Sequence, residues 1–365
     1  MQVHEQRVQR LRERLRADGV HAVVVAPGSD LRYLSGYDAL PLERPSLLVV
    51  PAEGRVAFVA PALERIRVEH EVLLPDLDIV TYGEHDDALA LAGRTIGAPQ
   101  GETVALGDQM WTSFALGLQQ ALPGRRWTRA SEFVAPLRAV KDASETAALA
   151  AVGRAIDAVH RRVPEVLRAG RTEREVADDL AAMIRQEHDH VSFVIVATGE
   201  NSASPHHEPG GRTIVDGDPV VVDIGGRLDG YCSDMTRTYA VGHVPEGFAE
   251  AYAVLEAAQA AGVAAVRPGA SAGDVDDAAR RVLTAAGLGE AFVHRTGHGI
   301  GLDTHEEPWI LGGAPVELVP GMAFSVEPGF YLAGRYGARI EDIVTVTDDG
   351  VRALNVVDRS LVVVP

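Results

Sequence analysis

The segment at residues 223–241, DIGGRLDGYCSDMTRTYAV, contains two acidic residues that could do chemistry. Asp223 follows the apolar run PVVV and Asp234 lies in CSDMTRTYAV, so both lie in or beside stretches typical of buried β-strand. The residues GRLDG between them predict a hairpin turn that brings the two carboxylates side by side. Buried like charges repel one another unless they share a proton or a cation. The alternative is that one aspartate caps the turn and the other is a surface residue.

Three histidines, His294, His298 and His305, lie in the glycine-rich segment HRTGHGIGLDTHEEP. Imidazoles this close together indicate a metal site or general acid–base chemistry, although a single one of them would more often be a hydrogen-bonded structural residue. The glycines of GHGIG do not follow the GxGxxG spacing, and no Walker lysine comes after them. A phosphate-binding loop is therefore excluded.

Two glutamates complete the set of candidate residues. Glu327 ends the apolar run MAFSV before a Pro-Gly turn, and Glu341 begins the run EDIVTVT. Either glutamate alone would be interpreted as a solvated charge at a strand end. Together with the two aspartates and one histidine, they form an oxygen-rich set that suits a pair of divalent cations such as Mn²⁺, Co²⁺ or Zn²⁺. Such cations would neutralise the buried aspartates.

The elements that must position these residues follow a pattern that occurs twice. Asp142 and Glu145 predict a capping box at the start of a long helix, where a second domain begins. Two helical segments lead to the strands of the aspartates, and further helices lead to the strands of His298 and the glutamates. The predicted helical segments are 142–168, 172–188 and 247–286. We therefore predict an α+β catalytic domain at 135–365, built from two αβ half-repeats.

Residues 1–134 predict a smaller α/β domain with no evident catalytic cluster. The order is helix, strand and loop, followed by a hairpin in SLLVVPAEGRVAFVA. The loop RYLSGYDALPLERP carries Tyr33 and Tyr37 between turn residues, and we expect both to be exposed. The alternative is that both tyrosines pack inside their own domain. Because aromatic residues are favoured at interfaces, this loop predicts a homodimer in which the N-terminal domain walls the partner's active site.

The composition excludes several classes of function. The 365-residue chain has a net charge of −18 and no basic stripe, so nucleic acid is not an expected partner. The single cysteine, Cys232, excludes an internal disulfide framework and suits a reducing compartment. The N-terminal residues lack the apolar core of a signal peptide, and no stretch reaches the length of a membrane-spanning helix. We expect a soluble, cytoplasmic protein with no membrane partner.

These motifs resemble the metallopeptidase family of methionine aminopeptidases, prolidases and Xaa-Pro aminopeptidases, whose catalytic domain has the pita-bread fold. The resemblance covers residues 142–365, and DLRYLSGYDA in residues 1–134 is similar to a creatinase-type N-terminal domain. It implies two divalent metal ions, manganese first, with cobalt or zinc as alternatives. The implied metal ligands are Asp223 in VVVDIGG, Asp234 in SDMTRT, His298 in TGHGIG, Glu327 in SVEPG and Glu341 in RIED. Arg339 is expected to orient the Glu341 carboxylate and to contact substrate.

The resemblance also implies roles for residues outside the ligand set. His206 in SASPHHE and His305 would donate hydrogen bonds to the oxyanion that develops during peptide hydrolysis, and His207 is interpreted as structural. Glu327 would also carry the proton from the attacking water to the departing nitrogen. His294 would line the leaving-group side of the site.

The implied substrate is a small peptide with proline at its second position. Prolidases cleave Xaa-Pro dipeptides and Xaa-Pro aminopeptidases cleave longer peptides, and the sequence leaves this choice open. Two other classes are also considered: a metal-free creatinase-type amidinohydrolase, and a non-catalytic binding protein on the same fold. Both alternatives predict no stoichiometric divalent ion and no effect of a chelator.

Overall fold

The computed structural model describes residues 2–365 and divides them into two compact units. The first unit ends at Arg138, and the second begins at Ala139. The boundary predicted between residues 134 and 135 stays a prediction about where an independently folding domain begins.

The first unit is built on a mixed six-stranded sheet with the order β4-β3-β2-β1-β5-β6. Its strands are β1 (Val20–Val25), β2 (Leu47–Pro51), β3 (Ala57–Pro61), β4 (Asp78–Tyr82), β5 (Thr103–Leu106) and β6 (Arg126–Arg129). Its helices are α1 (Gln2–Ala17), α2 (Ser29–Ser35), α3 (Arg65–Glu71), α4 (Ala88–Ile96), α5 (Thr112–Ala121) and α6 (Ser131–Ala139). β2 and β3 pair antiparallel with Leu47 opposite Val59, which confirms the predicted hairpin.

Two predictions for the loop after β1 are wrong. The segment forms the helix α2, which ends at Gly36 in the left-handed conformation (φ 77°). Tyr33 and Tyr37 are 0% and 3% exposed, because Tyr33 packs under the Arg7 guanidinium and Tyr37 packs edge-on against Phe58. The exposed apolar residues of this loop are instead leucines, Leu40 and Leu42.

The second unit contains two pairs of long helices, one short helix, two larger sheets and one smaller sheet. The helices are α7 (Ala143–His160), the short α8 (Val163–Val166), α9 (Glu173–Glu187), α10 (Phe248–Ala265) and α11 (Ala272–Ala285). The strands are β7 (His190–Thr198), β8 (Pro219–Leu228), β9 (Tyr231–Cys232), β10 (Met235–Val241), β11 (Gly297–Gly299), β12 (Glu306–Ile310), β13 (Ala323–Val326), β14 (Gly329–Leu332), β15 (Tyr336–Arg339), β16 (Asp342–Thr347), β17 (Gly350–Ala353) and β18 (Val362–Val364). Within residues 2–365, no helix has the length and apolar character that crossing a bilayer requires.

The two halves of the second unit repeat one plan, as the sequence predicts. The first sheet has the order β18-β10-β8-β7, and the second has the order β12-β11-β13-β16-β17. The second helix of each pair begins with a capping box, at Thr172 in the first half and at Ser271 in the second. Each of these cap residues also forms an isolated bridge to a later loop, to Thr213 and Glu317 respectively. The predicted capping box of Asp142 and Glu145 is present as well.

The hairpin between the two aspartates forms as predicted. Asp229 and Gly230 connect β8 to β9 with positive φ angles of 49° and 84°, which is the signature of a type I′ turn. β8 lies between β7 and β10, so both of its edges are paired, and Thr236 pairs with Asp223. Asp234 immediately precedes β10, which places it next to Asp223.

A buried arginine joins the two large sheets near the candidate residues. The Arg237 guanidinium on β10 donates to the Asp342 carboxylate on β16 at 2.7 Å and to the Glu341 carbonyl at 2.7 Å. The Glu341 amide in turn donates to the Thr236 carbonyl at 3.1 Å. The aspartates of the first half therefore face the glutamates of the second half.

The core of the first half contains a buried histidine, and it makes stability depend on pH. His160 is 1% exposed, and its Nε2 lies 2.9 Å from the Met235 carbonyl, to which it donates. Burial lowers the pKa of His160 to about 3, with the charge of Arg237 acting in the same direction. Because this pKa lies below that of the unfolded chain, the unfolded chain takes up the proton first as the pH falls. Stability from this site is complete above about pH 6.5 and declines below it.

We expect the free energy of unfolding of the wild type to fall, relative to that of His160→Gln, by about 1.4 kcal/mol per pH unit below pH 6. Glutamine keeps an N–H donor for Met235 but does not titrate. Urea unfolding of both proteins between pH 4.5 and 7.5 measures the difference. The exposed His190 provides the control, since His190→Gln should keep the wild-type slope. Equal slopes for His160→Gln and the wild type would contradict the prediction.

Candidate metal centre and active site

A cavity of about 800 Å³ in the second unit brings together all nine residues predicted from the sequence. They come from both halves of this unit. The predicted residues that line it are His206, Asp223, Asp234, His294, His298, His305, Glu327, Arg339 and Glu341.

The five predicted metal ligands lie within ligand distance of one another in overlapping groups. In each group, one ligand atom per residue lies within 4.8 Å of the others. The groups are Asp223, Asp234 and Glu341; His298, Glu327 and Glu341; and Asp234, His298 and His305. His305 was predicted outside the ligand set, yet the structure places it beside two of the ligands.

The glycines on either side of His298 are required by close packing. A Cβ on Gly297 would lie 1.9 Å from the Ser325 carbonyl oxygen, and one on Gly299 would lie 2.2 Å from the Glu307 carbonyl oxygen. Any side chain at either position would push β11 away from its neighbours. The GHGIG motif thus inserts a histidine into a tightly packed sheet.

His298 is held with one nitrogen free for a ligand role. Its Nδ1 lies 3.1 Å from the Gly299 carbonyl and donates to it, so the neutral ring presents its Nε2 lone pair. Nε2 lies 3.3 Å from Glu327 Oε1 and 3.6 Å from Asp234 Oδ2. Burial lowers the pKa of His298 to about 3, with His305 acting in the same direction, which keeps the ring neutral.

The carboxylates have the properties expected of a cation site. Burial raises the pKa of Asp234, and the charges of Glu341, Asp223 and Glu327 raise it further. Burial also raises the pKa of Glu341, with Glu327 and Asp223 adding to the effect. The buried oxygens Asp223 Oδ1 and Glu341 Oε1 have no hydrogen-bond partner among residues 2–365. Unsatisfied carboxylate oxygens inside a cluster of negative charge fit the coordination of divalent cations.

Arg339 has a different direct partner from the one predicted. Its Nη2 donates to Asp223 Oδ2 at 2.6 Å, and it approaches Glu341 only through Thr236. Thr236 Oγ1 accepts from Arg339 Nε at 3.1 Å and donates to Glu341 Oε2 at 2.8 Å. Because β15 ends at Arg339 and lies beside β8, the guanidinium reaches the carboxylate of the first half.

His294 is oriented by a tyrosine that the sequence analysis missed. Its Nδ1 donates to the Arg295 carbonyl at 2.7 Å, so its Nε2 accepts from the Tyr331 hydroxyl at 2.9 Å. The same hydroxyl accepts from Arg339 Nη1 at 2.8 Å. Burial lowers the pKa of His294 to about 4, with the charge of Arg339 acting in the same direction. A neutral His294 is therefore fixed in one tautomer at the cavity wall.

His206 is positioned by its neighbour on a loop that a buried glutamate secures. The Glu173 carboxylate, 0% exposed, accepts from His207 Nε2 at 2.8 Å and from the Gly210 amide at 3.0 Å. It also accepts from the Thr198 amide and the Asn201 side chain, which begin this loop. Burial alone would raise the pKa of Glu173, but these hydrogen bonds hold it below its usual range. The structural interpretation of His207 fits this contact.

The sequence analysis missed further residues that contact the site residues or their neighbours. Lys141 Nζ lies 2.8 Å from Glu306 Oε1, beside His305, and Ser325 Oγ donates to Glu327 Oε1 at 3.2 Å. Thr236 and Ser325 each lie two residues from a predicted ligand, so their spacing along a strand was an available signal. No comparable local pattern indicated Glu173 or Tyr331.

Comparisons with known families and proteins agree with these observations. The description "Metallopeptidase family M24" matches residues 147–348, and "Creatinase/Prolidase N-terminal domain" matches residues 7–140.

Three relatives extend along nearly the whole chain. A Mycobacterium tuberculosis protein named "Probable dipeptidase PepE" is 47% identical over 95% of this chain and 93% of its own length. The "Xaa-Pro dipeptidase" of Lactobacillus delbrueckii subsp. lactis is 33% identical over 98% of both chains. The crystal structure of a prolidase from Thermococcus sibiricus superposes with a TM-score of 0.93 at 35% identity, covering 99% of each chain.

Proposed function

Because the chain belongs to metallopeptidase family M24, we propose that it is a dinuclear metallopeptidase that hydrolyses the Xaa-Pro bond of dipeptides. The observation that carries this proposal is the cluster of four carboxylates and His298 in one cavity, with two carboxylate oxygens unsatisfied. The names of the relatives described above favour a dipeptidase over an aminopeptidase acting on longer peptides. The complete ligand set weighs against a metal-free creatinase-type amidinohydrolase.

We propose that two divalent ions are held by the five ligands, and that manganese is the ion used. The ligands are Asp223, Asp234, His298, Glu327 and Glu341. When bound, such ions polarise the scissile carbonyl and make a water molecule nucleophilic near neutral pH. Carboxylate and imidazole ligands together suit Mn²⁺, and Co²⁺ and Zn²⁺ are the alternatives for the test below.

The chain's own residues would move protons and stabilise charge. In the metal-free protein, burial raises the pKa of Glu327 to about 7, against the charge of Arg339. We propose that the Glu327 carboxylate takes a proton from water and returns it to the departing nitrogen. Burial lowers the pKa of His305, so the ring is neutral and has one N–H to donate. We propose that His305 and His206 direct N–H donors at the developing oxyanion, and that His294 contacts the leaving-group side.

The decisive experiment measures release of the N-terminal alanine from Ala-Pro, with Ala-Ala and Ala-Pro-Ala as comparison peptides. We expect metal-loaded protein to hydrolyse Ala-Pro fastest, to lose activity with a chelator and to regain it with Mn²⁺. Parallel reconstitution with Co²⁺ and Zn²⁺ ranks the metals. Hydrolysis of creatine that is insensitive to the chelator would support the amidinohydrolase alternative. Faster cleavage of Ala-Pro-Ala would identify an aminopeptidase.

We also propose that the protein is a cytoplasmic homodimer. With Tyr33 and Tyr37 buried, the support comes from exposed apolar residues of the first unit, namely Leu40, Leu42, Leu63 and Ile66, which are 48% to 70% exposed. Sedimentation equilibrium should give twice the 38.8 kDa chain mass. We expect Leu40→Ser/Ile66→Ser to shift the protein toward monomer. A monomeric wild type at micromolar concentration would contradict the proposal.

A further inference from the structure

The segment 292–296, which runs into the metal-ligand strand β11, forms neither helix nor strand. It contains His294 and Arg295, both of which line the cavity, and it ends immediately before Gly297. Because an irregular segment has no hydrogen-bond ladder of its own, its backbone groups must find partners elsewhere. The contacts that hold this segment therefore determine where His294 lies.

Helix α11 holds one end of the segment through a buried carboxylate. Asp276 on this helix is 0% exposed. Its Oδ1 accepts from the Thr296 amide at 3.0 Å and from the Thr296 hydroxyl at 2.8 Å. The two Asp276 oxygens also accept from the Arg280 guanidinium, one turn further along α11, at 2.9 and 3.0 Å. The carboxylate therefore fixes Thr296 and orients the arginine.

Arg280 holds the other end of the segment. Its Nη1 donates to the Phe292 carbonyl at 3.0 Å, and its Nη2 donates to the His294 carbonyl at 2.8 Å. The guanidinium carbon lies 4.2 Å from the centre of the Phe292 ring, in the range of a cation–π contact. The Phe292 ring packs edge-on against the His294 ring, with their centres 5.1 Å apart. Arg280 thus contacts both the backbone of His294 and the ring that supports its imidazole.

The imidazole of His294 depends on this support for its position. Its two nitrogens bond to the Arg295 carbonyl and the Tyr331 hydroxyl, which select the tautomer. The location of the ring is set by the backbone that carries it. Asp276 and Arg280 fix that backbone, yet neither residue lines the cavity. They can therefore act on a substrate only through the segment that they hold.

We propose that Asp276 and Arg280 are positioning residues that set the preference for a proline leaving group through His294. The inference rests on the function proposed above, in which His294 contacts the leaving-group side, and adds to that site two residues outside the cavity. A displacement of about 1 Å in a group that contacts substrate can cost about 100-fold in rate. Loss of the pair should therefore change catalysis as well as stability.

The test compares kcat/KM for Ala-Pro with kcat/KM for Ala-Ala, which differ in their leaving group, in the metal-loaded enzyme. The ratio of the two values does not depend on how much of a preparation is active. We expect Asp276→Asn and Arg280→Gln each to lower kcat/KM for Ala-Pro by about 10- to 100-fold and the ratio by about tenfold. The double variant should lose no more than either single variant, because the two residues act as one unit.

A His294→Ala variant tests the route by which the pair acts. It should lower the same ratio, and addition of Asp276→Asn to it should change the ratio by less than about threefold. Metal content should stay at the wild-type level in all of these variants, since the five proposed ligands are unchanged.

The neighbouring residues of the same helix provide matched controls. Asp277 and Arg281 are exposed, so Asp277→Asn and Arg281→Gln should keep the wild-type ratio. Thermal unfolding of each variant verifies folding. The Arg280 side chain is 34% exposed, so Arg280→Gln should fold even if Asp276→Asn does not.

A fall in rate with an unchanged ratio, or a loss of metal in Asp276→Asn, would mean that the pair acts on stability or metal binding, and overturns the inference. A wild-type ratio in His294→Ala overturns it too, as does an Asp276→Asn effect of equal size with and without His294. In each of these cases the peptidase proposal stands. A wild type that cleaves no Xaa-Pro substrate, or does not prefer Ala-Pro to Ala-Ala, overturns the proposed function, and this inference with it.

Discussion

Asp234→Asn is expected to abolish hydrolysis of Xaa-Pro dipeptides while the protein remains folded. Loss of residues that merely support metal ligands costs about 10- to 100-fold in metal affinity or activity, so loss of a ligand should cost more than 100-fold. Asparagine has nearly the same shape as aspartate, and the apolar faces of β8 and β10 are unchanged. Metal content by mass spectrometry, alongside proline release, measures both effects.

The same substitution should change stability in opposite directions with and without metal. In the metal-free protein, Asp234 is buried beside Glu341, Asp223 and Glu327, whose charges repel it. Asp234→Asn removes one member of this cluster, so the metal-free variant should unfold at a higher temperature than the metal-free wild type. The wild type should gain more stability from Mn²⁺ because it binds the ion more tightly. A metal-free variant less stable than the wild type would show that repulsion does not dominate this site.

His305→Ala provides the matched comparison. If His305 donates to the oxyanion and binds no metal, kcat should fall by about 10²–10³ while metal content stays at the wild-type level. The test is sharp because His305 lies within 4.8 Å of ligand atoms of Asp234 and His298. Loss of metal equal to that of Asp234→Asn would reassign His305 as a ligand. A wild-type rate in Asp234→Asn would contradict the dinuclear assignment itself.

Local patterns were sufficient to predict the parts of the site that depend on short sequence segments. The hairpin before Asp234 follows from the Asp-Gly pair at residues 229–230, in which both residues have positive φ. The capping box at Asp142 follows from reciprocal hydrogen bonds with Glu145, three residues later in the sequence. Among the predicted ligands, Asp234, Glu327 and Glu341 adjoin the ends of buried strands, whereas Asp223 and His298 lie within strands β8 and β11. The two half-repeats bring these positions to one cavity.

Contacts between distant segments could not be predicted in this way. Tyr33 looked exposed because turn residues flank it, but its burial depends on α1, whose Arg7 covers the ring. Arg339 was assigned to the nearest carboxylate in sequence, whereas the fold gives it Asp223, 116 residues away. Periodicity and spacing carry no information about such pairs, which are set by how strands of different halves pack.

Among the contacts between distant segments, the ion pair of Lys141 and Glu306 is expected to have the largest effect on stability when it is removed. Lys141 is the only lysine of the chain, and it lies just before the capping box of α7. Its side chain is 1% exposed and that of Glu306 is 9% exposed, with Nζ and Oε1 2.8 Å apart. A Cβ on Gly301 would lie 2.7 Å from Glu306 Oε1, so this glycine leaves room for the carboxylate. The pair thus fixes the residue that follows His305.

Lys141→Met should lower the free energy of unfolding by about 3–5 kcal/mol, because it removes the ammonium that lies 2.8 Å from the buried Glu306 carboxylate. We expect kcat to fall as well, since His305 would lose its fixed neighbour. In the double variant Lys141→Met/Glu306→Gln the buried charge is gone, and much of the lost stability should return. Urea unfolding of the two single variants and the double variant gives the coupling between the residues.

The adjacent Glu307 supplies the control for this cycle. Glu307 is exposed, so Glu307→Gln should change stability by no more than about 0.5 kcal/mol. If Lys141→Met changes the free energy of unfolding equally little, the ion pair contributes nothing to stability. His305 is then held only by the β12 strand that follows it. If Lys141→Met is costly but the cost is the same in the Glu306→Gln background, the lysine acts by packing rather than by charge. Only a cost that Glu306→Gln relieves supports an ion pair that positions the catalytic loop.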